Sequence, residues 1–177
     1  DLEAERKNAD SWVRLTFNLP LETDLSGLGT LAIDPRIIRG TELWELGLYE
    51  DARLEFESLR LELELNKDAV GSYRLTNYLL DLGLYRSAIF TARQTLSLAG
   101  LDDDIESRMA PLYFSHVRYG LYYSDLVIPD AQTNNLDPLF IFSVIRQESL
   151  FEGFVSSSAG ARGLMQIVPG TGADMVS

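Results

Sequence analysis

The sequence contains no cysteine, so disulfide bonds and thiolate chemistry are both excluded. Absence of cysteine is compatible with an oxidising envelope compartment but does not establish one. His116 is the only histidine, and no serine–histidine–acid arrangement accompanies it. We therefore interpret His116 as a structural residue and do not expect a hydrolase of the serine type.

Basic residues and long apolar runs are also scarce. Lys and Arg number 15 against 27 Asp and Glu, and the net charge of −12 argues against a nucleic-acid-binding surface. No apolar stretch is long enough to span a bilayer. Three adjacent aspartates at 102–104 lack the glycine turn and the later glutamate of a calcium loop, so we interpret them as a helix start. The sequence predicts neither a metal ion nor a cofactor.

Helix signals dominate the first two thirds of the chain. Asp34-Pro35 and Asp137-Pro138 each have the pattern of an N-cap followed by proline in the first turn. The sequence Leu-Gly-Leu-Tyr at 46–49 recurs 36 residues later at 82–85, which predicts two successive helical hairpins whose first helices end at Gly47 and Gly83. The period is close to the ~34 residues of tetratricopeptide repeats, although the consensus fits poorly.

We therefore predict an all-α protein: an α-superhelix of degenerate, tetratricopeptide-like hairpins. Its expected domains are an N-terminal helix and loop over 1–33, a superhelical domain over 34–126, and a separate third part over 127–177. The superhelix is expected to act mainly as a scaffold, with a curved surface that contacts a polymer or a protein partner.

Glu148 is the first candidate for chemistry. It ends an apolar helical run over 140–149, and on a helix Ile141, Ile145 and Glu148 share one stripe. We expect this carboxylate to be buried, and burial favours the neutral form that can donate a proton to a glycosidic bond. For a lone glutamate, a solvated helix end or a pair with Arg146 would be by far the preferred explanation.

The surrounding residues favour the catalytic interpretation. Arg-Gln-Glu-Ser at 146–149 is followed by a small-residue loop from Ser157 and by Gly-Leu-Met-Gln at 163–166. This two-part motif resembles that of the soluble lytic transglycosylases, bacterial enzymes with a goose-lysozyme-like catalytic domain. The resemblance is clear over about 121–177 and looser back to about Asp34, and it makes 127–177 the first helices of a lysozyme-like domain.

The resemblance implies cleavage of the β-1,4 bond between N-acetylmuramic acid and N-acetylglucosamine in peptidoglycan, with a 1,6-anhydro end as product. Glu148 would be the single general acid and base, because neither Glu152 nor Asp137 is a convincing second carboxylate. Ser157 would hydrogen-bond the Glu148 carboxyl. The substrate-binding residues implied by the motif are Ser149, Ser157, Gly163, Met165 and Gln166. Beyond glycan strands, cell-wall proteins are possible partners.

Two alternatives stay open at this point. One is a goose-type lysozyme that uses the same glutamate with water, and the other is a helical scaffold or binding module with an inactive, incomplete lysozyme-like piece. Ser177 follows Gln166 by only 11 residues, so we expect this chain to be a fragment of a longer protein. Thr171 is the predicted N-cap of its last helix. If the resemblance holds, the compartment is the periplasm or another part of the extracytoplasmic envelope, and an export signal lies outside these residues.

Overall fold

The computed structural model describes residues 2–174, and this part of the chain is all-α, which confirms the predicted fold class. Two short 3₁₀ helices, Gly29–Ile33 and Glu106–Met109, and a few isolated β-bridges complete the regular structure within these bounds. None of the helices formed by residues 2–174 is both long and apolar enough to cross a membrane. The α-helices are α1 Leu2–Thr16, α2 Pro35–Glu45, α3 Tyr49–Leu65, α4 Ala69–Leu82, α5 Tyr85–Leu98, α6 Leu112–Arg118, α7 Ser124–Thr133, α8 Pro138–Ser149 and α9 Pro169–Asp174.

The chain forms two compact units, one ending at Gly120 and one beginning at Leu121. The first unit holds α1 to α6, and the second holds α7 to α9 with the connecting loops. The finer division predicted from sequence, with boundaries at 33/34 and 126/127, stays a prediction.

Within the first unit, α2 packs on α3 and α4 packs on α5, so the two predicted hairpins are confirmed. Asp34 caps α2 by accepting a hydrogen bond from the Arg36 backbone N–H at 2.8 Å. The Arg36 guanidinium also donates to this carboxylate and holds the Asp34 pKa below its usual range. Gly83 ends α4 in the left-handed conformation, with φ of 84°, as expected for a glycine after a helix.

The first hairpin depends on a close backbone approach. A β-carbon built on Gly40 of α2 would lie 2.7 Å from the ring of Phe56, which is fully buried in α3. No side chain fits at that distance, so glycine allows the two helices to pack around the Phe56 ring.

An aromatic cluster joins the N-terminal helix to α6. Phe114 is fully buried and meets Trp12 of α1 edge-on, with ring centroids 5.3 Å apart, while Tyr113 meets Tyr73 of α4 at 6.1 Å. Burial raises the pKa of Tyr113 to about 12, and its hydroxyl donates to the side chain of the buried Asn77. The residues before Asp34 are therefore packed into the core of the first unit.

His116 links the same two helices at the surface. Its Nδ1 lies 2.6 Å from Glu5 Oε2, although the imidazole itself is about half exposed. This contact with α1 agrees with the structural role that the sequence suggested.

The second unit places α8 after the predicted Asp137 cap, whose side chain accepts from the Leu139 backbone N–H at 2.9 Å. A long loop then leads to α9. This last helix begins at Pro169, so the prediction of Thr171 as its N-cap is wrong. Proline is favoured in a first helical turn, and that signal at position 169 outweighs the threonine two residues later.

Candidate active site

Helix α8 ends at Ser149 because of the backbone geometry that follows it. After Ser149, both Leu150 and Phe151 adopt positive φ angles of 51° and 65°, which stops the helix and reverses the chain. Phe151 is then buried, and its ring packs edge-on against Tyr122, with centroids 5.2 Å apart. This reversal starts the loop that carries the remaining motif residues.

Glu148 lies on the last turn of α8, and its side chain is exposed. The predicted burial of Glu148 is therefore wrong, although Ile145 on the same stripe is buried. The prediction used helical periodicity to extend the buried stripe to Glu148, which is the last residue but one of α8. There the chain turns away and buries Ser149 and Phe151 instead.

The helix end gives this exposed carboxylate a distinct electrostatic setting. Unpaired carbonyl groups place a partial negative charge at the C-terminus of a helix. Arg146 lies in the same last turn and adds a compensating positive charge. Within residues 2–174 the Glu148 carboxylate makes no hydrogen bond or ion pair, so both of its oxygens are available to a ligand.

Ser149 is buried, unlike the neighbouring Glu148. It is 5% exposed, and its hydroxyl is directed at two backbone carbonyls: Leu164 at 2.8 Å and Ile145 at 3.2 Å. The first of these contacts ties the end of α8 directly to the Gly-Leu-Met-Gln segment. In this structure Ser149 holds the loop beside Glu148, and its hydroxyl is not turned to solvent.

The loop itself is ordered by short backbone bridges. Arg162 pairs in antiparallel fashion with both Ser156 and Ile167, and its backbone N–H donates to the Ile167 carbonyl at 3.1 Å. Gly163 has φ of 74°, a conformation that an L-residue adopts only with strain. Glycine at position 163 therefore meets a conformational need of the turn, and its predicted role in substrate binding stays a prediction.

Ser157 closes the turn that precedes these bridges. Its hydroxyl oxygen accepts a hydrogen bond from the Ala161 backbone N–H at 3.0 Å, and its own N–H donates to the Ala161 carbonyl. No hydrogen bond joins Ser157 to Glu148 in the part of the chain that the structure describes. The residue is exposed, so its hydroxyl proton can still be donated to a ligand or a carboxylate.

Gln166 is used largely within the loop. It has φ of 49°, and its side-chain amide donates to the carbonyls of Gly163 at 2.8 Å and Val155 at 3.2 Å. The neighbouring Met165 is 37% exposed. Gln166 thus stabilises the loop and leaves its amide oxygen to accept a further hydrogen bond.

Met165 lines an apolar cavity of about 360 Å³ between α7, α8 and the loop. Ile141 and Ile145 form its wall on the α8 side. Neither Glu148 nor Gln166 lines this cavity, so it lies beside the candidate catalytic residue and does not enclose it. A site at Glu148 is therefore an open surface in residues 2–174.

Of the two carboxylates considered as a partner for Glu148, Glu152 is the nearer in the sequence. It lies after the end of α8, as suspected from the sequence, and it is only 3% exposed. A buried carboxylate cannot reach the opposite side of a glycan held at the exposed Glu148. The burial of Glu152 could not be predicted from the sequence, because it depends on the chain reversal at Leu150. Across residues 2–174, no group of three or more side chains could hold a metal ion.

We predict that Ser149→Ala loosens the loop without changing the fold. Removing the hydroxyl deletes the bond to the Leu164 carbonyl and should cost about 1–2 kcal/mol locally, which is roughly a five- to thirty-fold faster amide exchange. The amides to follow are those of Arg162, Gly163 and Ile167, which are all hydrogen-bonded within the loop.

Ser143→Ala is the matched control, because Ser143 is exposed on the same helix and bonds only to the Leu139 carbonyl within it. Hydrogen exchange followed by mass spectrometry should show no change in the loop for this variant. Equal exchange in both variants would mean that Ser149 does not hold the loop.

Comparison with known proteins places these features in a family. Residues 125–177, which include both parts of the motif, match the Transglycosylase SLT domain family. The soluble lytic murein transglycosylase of Salmonella typhimurium is 32% identical over 82 residues, which are 45% of this chain but 13% of that protein.

Solved structures extend the likeness to the fold of almost the whole chain. An inactive mutant of lytic transglycosylase Slt from Pseudomonas aeruginosa has a TM-score of 0.63 at 22% identity, over 91% of this chain and 24% of its own. The 70 kDa soluble lytic transglycosylase of Escherichia coli gives the same score at 21% identity, over 99% of this chain and 27% of its own. The chain thus spans about a quarter or less of the length of these relatives, which are enzymes. Residues 125–177 thus match the SLT domain family, and the fold of the chain is similar to that of soluble lytic transglycosylases.

Proposed function

We propose that this chain belongs to a peptidoglycan lytic transglycosylase in which Glu148 is the general acid and base. The observation that carries the proposal is the match of residues 125–177 to the SLT domain, with Glu148 and the Gly-Leu-Met-Gln loop held together by Ser149. The proposed substrate is the β-1,4 bond between N-acetylmuramic acid and N-acetylglucosamine.

The proposed reaction needs one carboxyl group. Protonated Glu148 gives its proton to the glycosidic oxygen as the bond from that oxygen to the anomeric carbon breaks. The resulting carboxylate then takes the proton of the sugar's 6-hydroxyl while the 6-oxygen bonds to the anomeric carbon. Glu148 ends protonated, no water is consumed, and the product is a 1,6-anhydro end.

An exposed carboxylate requires help to hold a proton near neutral pH. We infer that the bound glycan provides it by covering the Glu148 carboxyl and excluding water. Ser157, Met165 and Gln166 are proposed to contact the glycan along the loop, with Gly163 setting the turn that presents them. The proposed location is the periplasm or another part of the cell envelope.

The experiment is product analysis. The 177-residue protein is incubated with purified peptidoglycan, and the released fragments are identified by mass spectrometry. We expect anhydro-muropeptides, because ring closure by the 6-hydroxyl cleaves the bond without adding the water that hydrolysis adds. Reducing ends in their place would identify a hydrolytic lysozyme of the goose type.

A second candidate function is a glycan- or protein-binding module, and the open setting of Glu148 favours it. Glu148 is exposed at the end of α8 and does not line the apolar cavity beside Met165. Retention on insoluble peptidoglycan with no released fragment would support this candidate and would contradict catalysis by these 177 residues.

A further inference from the structure

Helix α3 has a second apolar face that is largely exposed in the first unit. Leu54, Leu61 and Leu65 are 59%, 52% and 83% exposed, and with Ser58 they recur at i, i+4, i+7 and i+11. We call these four residues the α3 seam. The opposite face of α3 carries the core residues Ala52, Phe56, Leu59 and Leu63.

The seam has the spacing of one strand of a coiled coil. Leu54 and Leu61 occupy one core position of successive heptads, and Ser58 and Leu65 occupy the other. On this register, every flanking position between Glu50 and Glu64 is a glutamate. These flanking residues are Glu50, Glu55, Glu57, Glu62 and Glu64.

Three arginines reduce this charge without cancelling it. Arg39 and Arg36 of α2 bind Glu55 and Glu62, each at 2.7 Å. Arg60 alone is shared between the two glutamates on the other flank, Glu57 at 2.6 Å and Glu64 at 3.0 Å.

The uncompensated charge is greatest at the start of the helix. Glu50 makes no ion pair within the described range 2–174, and the acidic Asp51 lies beside it. The seam is therefore apolar along its centre and negative mainly along the edge formed by Glu50, Glu57 and Glu64.

Charge decides which occupant suits this seam. A second copy of the chain would bring glutamates against glutamates in either helix direction, and like charges at these flanking positions oppose pairing. An anionic membrane surface meets the same repulsion. A helix with an apolar stripe beside a row of Lys and Arg meets opposite charge along the edge of Glu50, Glu57 and Glu64.

We propose that the α3 seam docks a basic amphipathic helix of a partner protein. The partner's apolar residues pack on Leu54, Leu61 and Leu65, and its basic residues lie along Glu50, Glu57 and Glu64. This interaction lies in the first unit and does not involve Glu148, so it stands apart from the proposed function.

The test uses a synthetic helical peptide of three heptads, with Leu at both core positions and Lys at both flanking positions. Fluorescence anisotropy measures its binding to the 177-residue protein. We expect micromolar affinity at low salt, at least tenfold weaker binding by Leu54→Gln/Leu61→Gln, and weakening by added salt. Gln has nearly the helix propensity of Leu, so the fold should be kept, and circular dichroism verifies it.

The matched protein control is Leu15→Gln/Leu21→Gln, which changes two leucines that are 71% and 80% exposed outside α3. It should bind like the unaltered protein. A peptide of the same composition in scrambled order controls for charge alone, and equal binding of that peptide would overturn the proposal.

Four further outcomes would overturn it. The first is the absence of peptide binding, and the second is a double variant that binds as well as the unaltered protein. The third is a self-association, seen by analytical ultracentrifugation, that the Leu54→Gln/Leu61→Gln variant loses, since that would assign the seam to a second copy. Co-sedimentation with anionic vesicles that depends on the same leucines would assign it to a membrane surface.

Discussion

Glu148→Gln should abolish the formation of anhydro-muropeptides from peptidoglycan while leaving glycan binding intact. Glutamine has nearly the same shape as glutamate but can neither give up a proton to the leaving oxygen nor take one from the 6-hydroxyl. General acid–base catalysis contributes about 10²–10⁴-fold to such reactions, so the rate should fall by at least about 100-fold. Glu148 is exposed, and its carboxylate has no partner within residues 2–174, so the substitution should not disturb folding.

Asp125→Asn is the matched control for this experiment. Asp125 is exposed at the start of α7 and lies in the same unit, and its replacement removes one negative charge as Glu148→Gln does. The control should keep its turnover within a small factor. A pull-down on insoluble peptidoglycan completes the comparison, since Glu148→Gln should be retained as well as the unaltered protein.

The two proposals for this chain fail in distinguishable ways. Turnover that survives Glu148→Gln would remove Glu148 as the acid, even if anhydro products still formed. A loss of both binding and turnover would assign Glu148 to glycan binding and not to proton transfer. Neither result bears on the α3 seam, whose test measures peptide binding in the other unit.

Local signals in the sequence predicted the helix boundaries well. A helix cap or a left-handed turn forms at Asp34-Pro35, Asp137-Pro138 and Gly83, as predicted. Such features are predictable because they depend only on neighbouring atoms. For the same reason, the repeat at 46–49 and 82–85 located both hairpins. The outer face of α3 drew no prediction, although its leucine spacing is visible in the sequence.

The details of the candidate site depended on contacts that no local signal encodes. Periodicity placed Glu148 on a buried stripe, but the helix end at Ser149 and the chain reversal decided its exposure. Ser149 bonds to Leu164, 15 residues away, and Ser157 bonds to Ala161. A family motif identifies residues that occur together, but which of them touches substrate and which holds a loop depends on the three-dimensional arrangement.

The largest effect on stability should come from Phe114→Ala. The Phe114 ring is fully buried, and its neighbours are Trp12 at 5.3 Å, Tyr113 at 5.6 Å and Tyr73 at 6.0 Å between centroids. Truncating such a ring leaves a cavity that rigid neighbours cannot fill, and the free energy of unfolding should fall by about 3–5 kcal/mol. Leu112→Ala is the control on the same helix, since Leu112 is 67% exposed and should change stability by no more than about 0.5 kcal/mol.

Urea unfolding followed by tryptophan fluorescence measures both variants. The two tryptophans, Trp12 and Trp44, lie in the first unit, so the signal reports on that unit alone. A loss below about 1 kcal/mol for Phe114→Ala would contradict the claim that this cluster is a rigid core, because a collapsible site is what lowers the cost of a cavity. The full expected fall of about 3–5 kcal/mol in the free energy of unfolding would show that α1 is an integral part of the first unit. The reason is that Phe114 connects Trp12 of α1 to Tyr73 of the second hairpin.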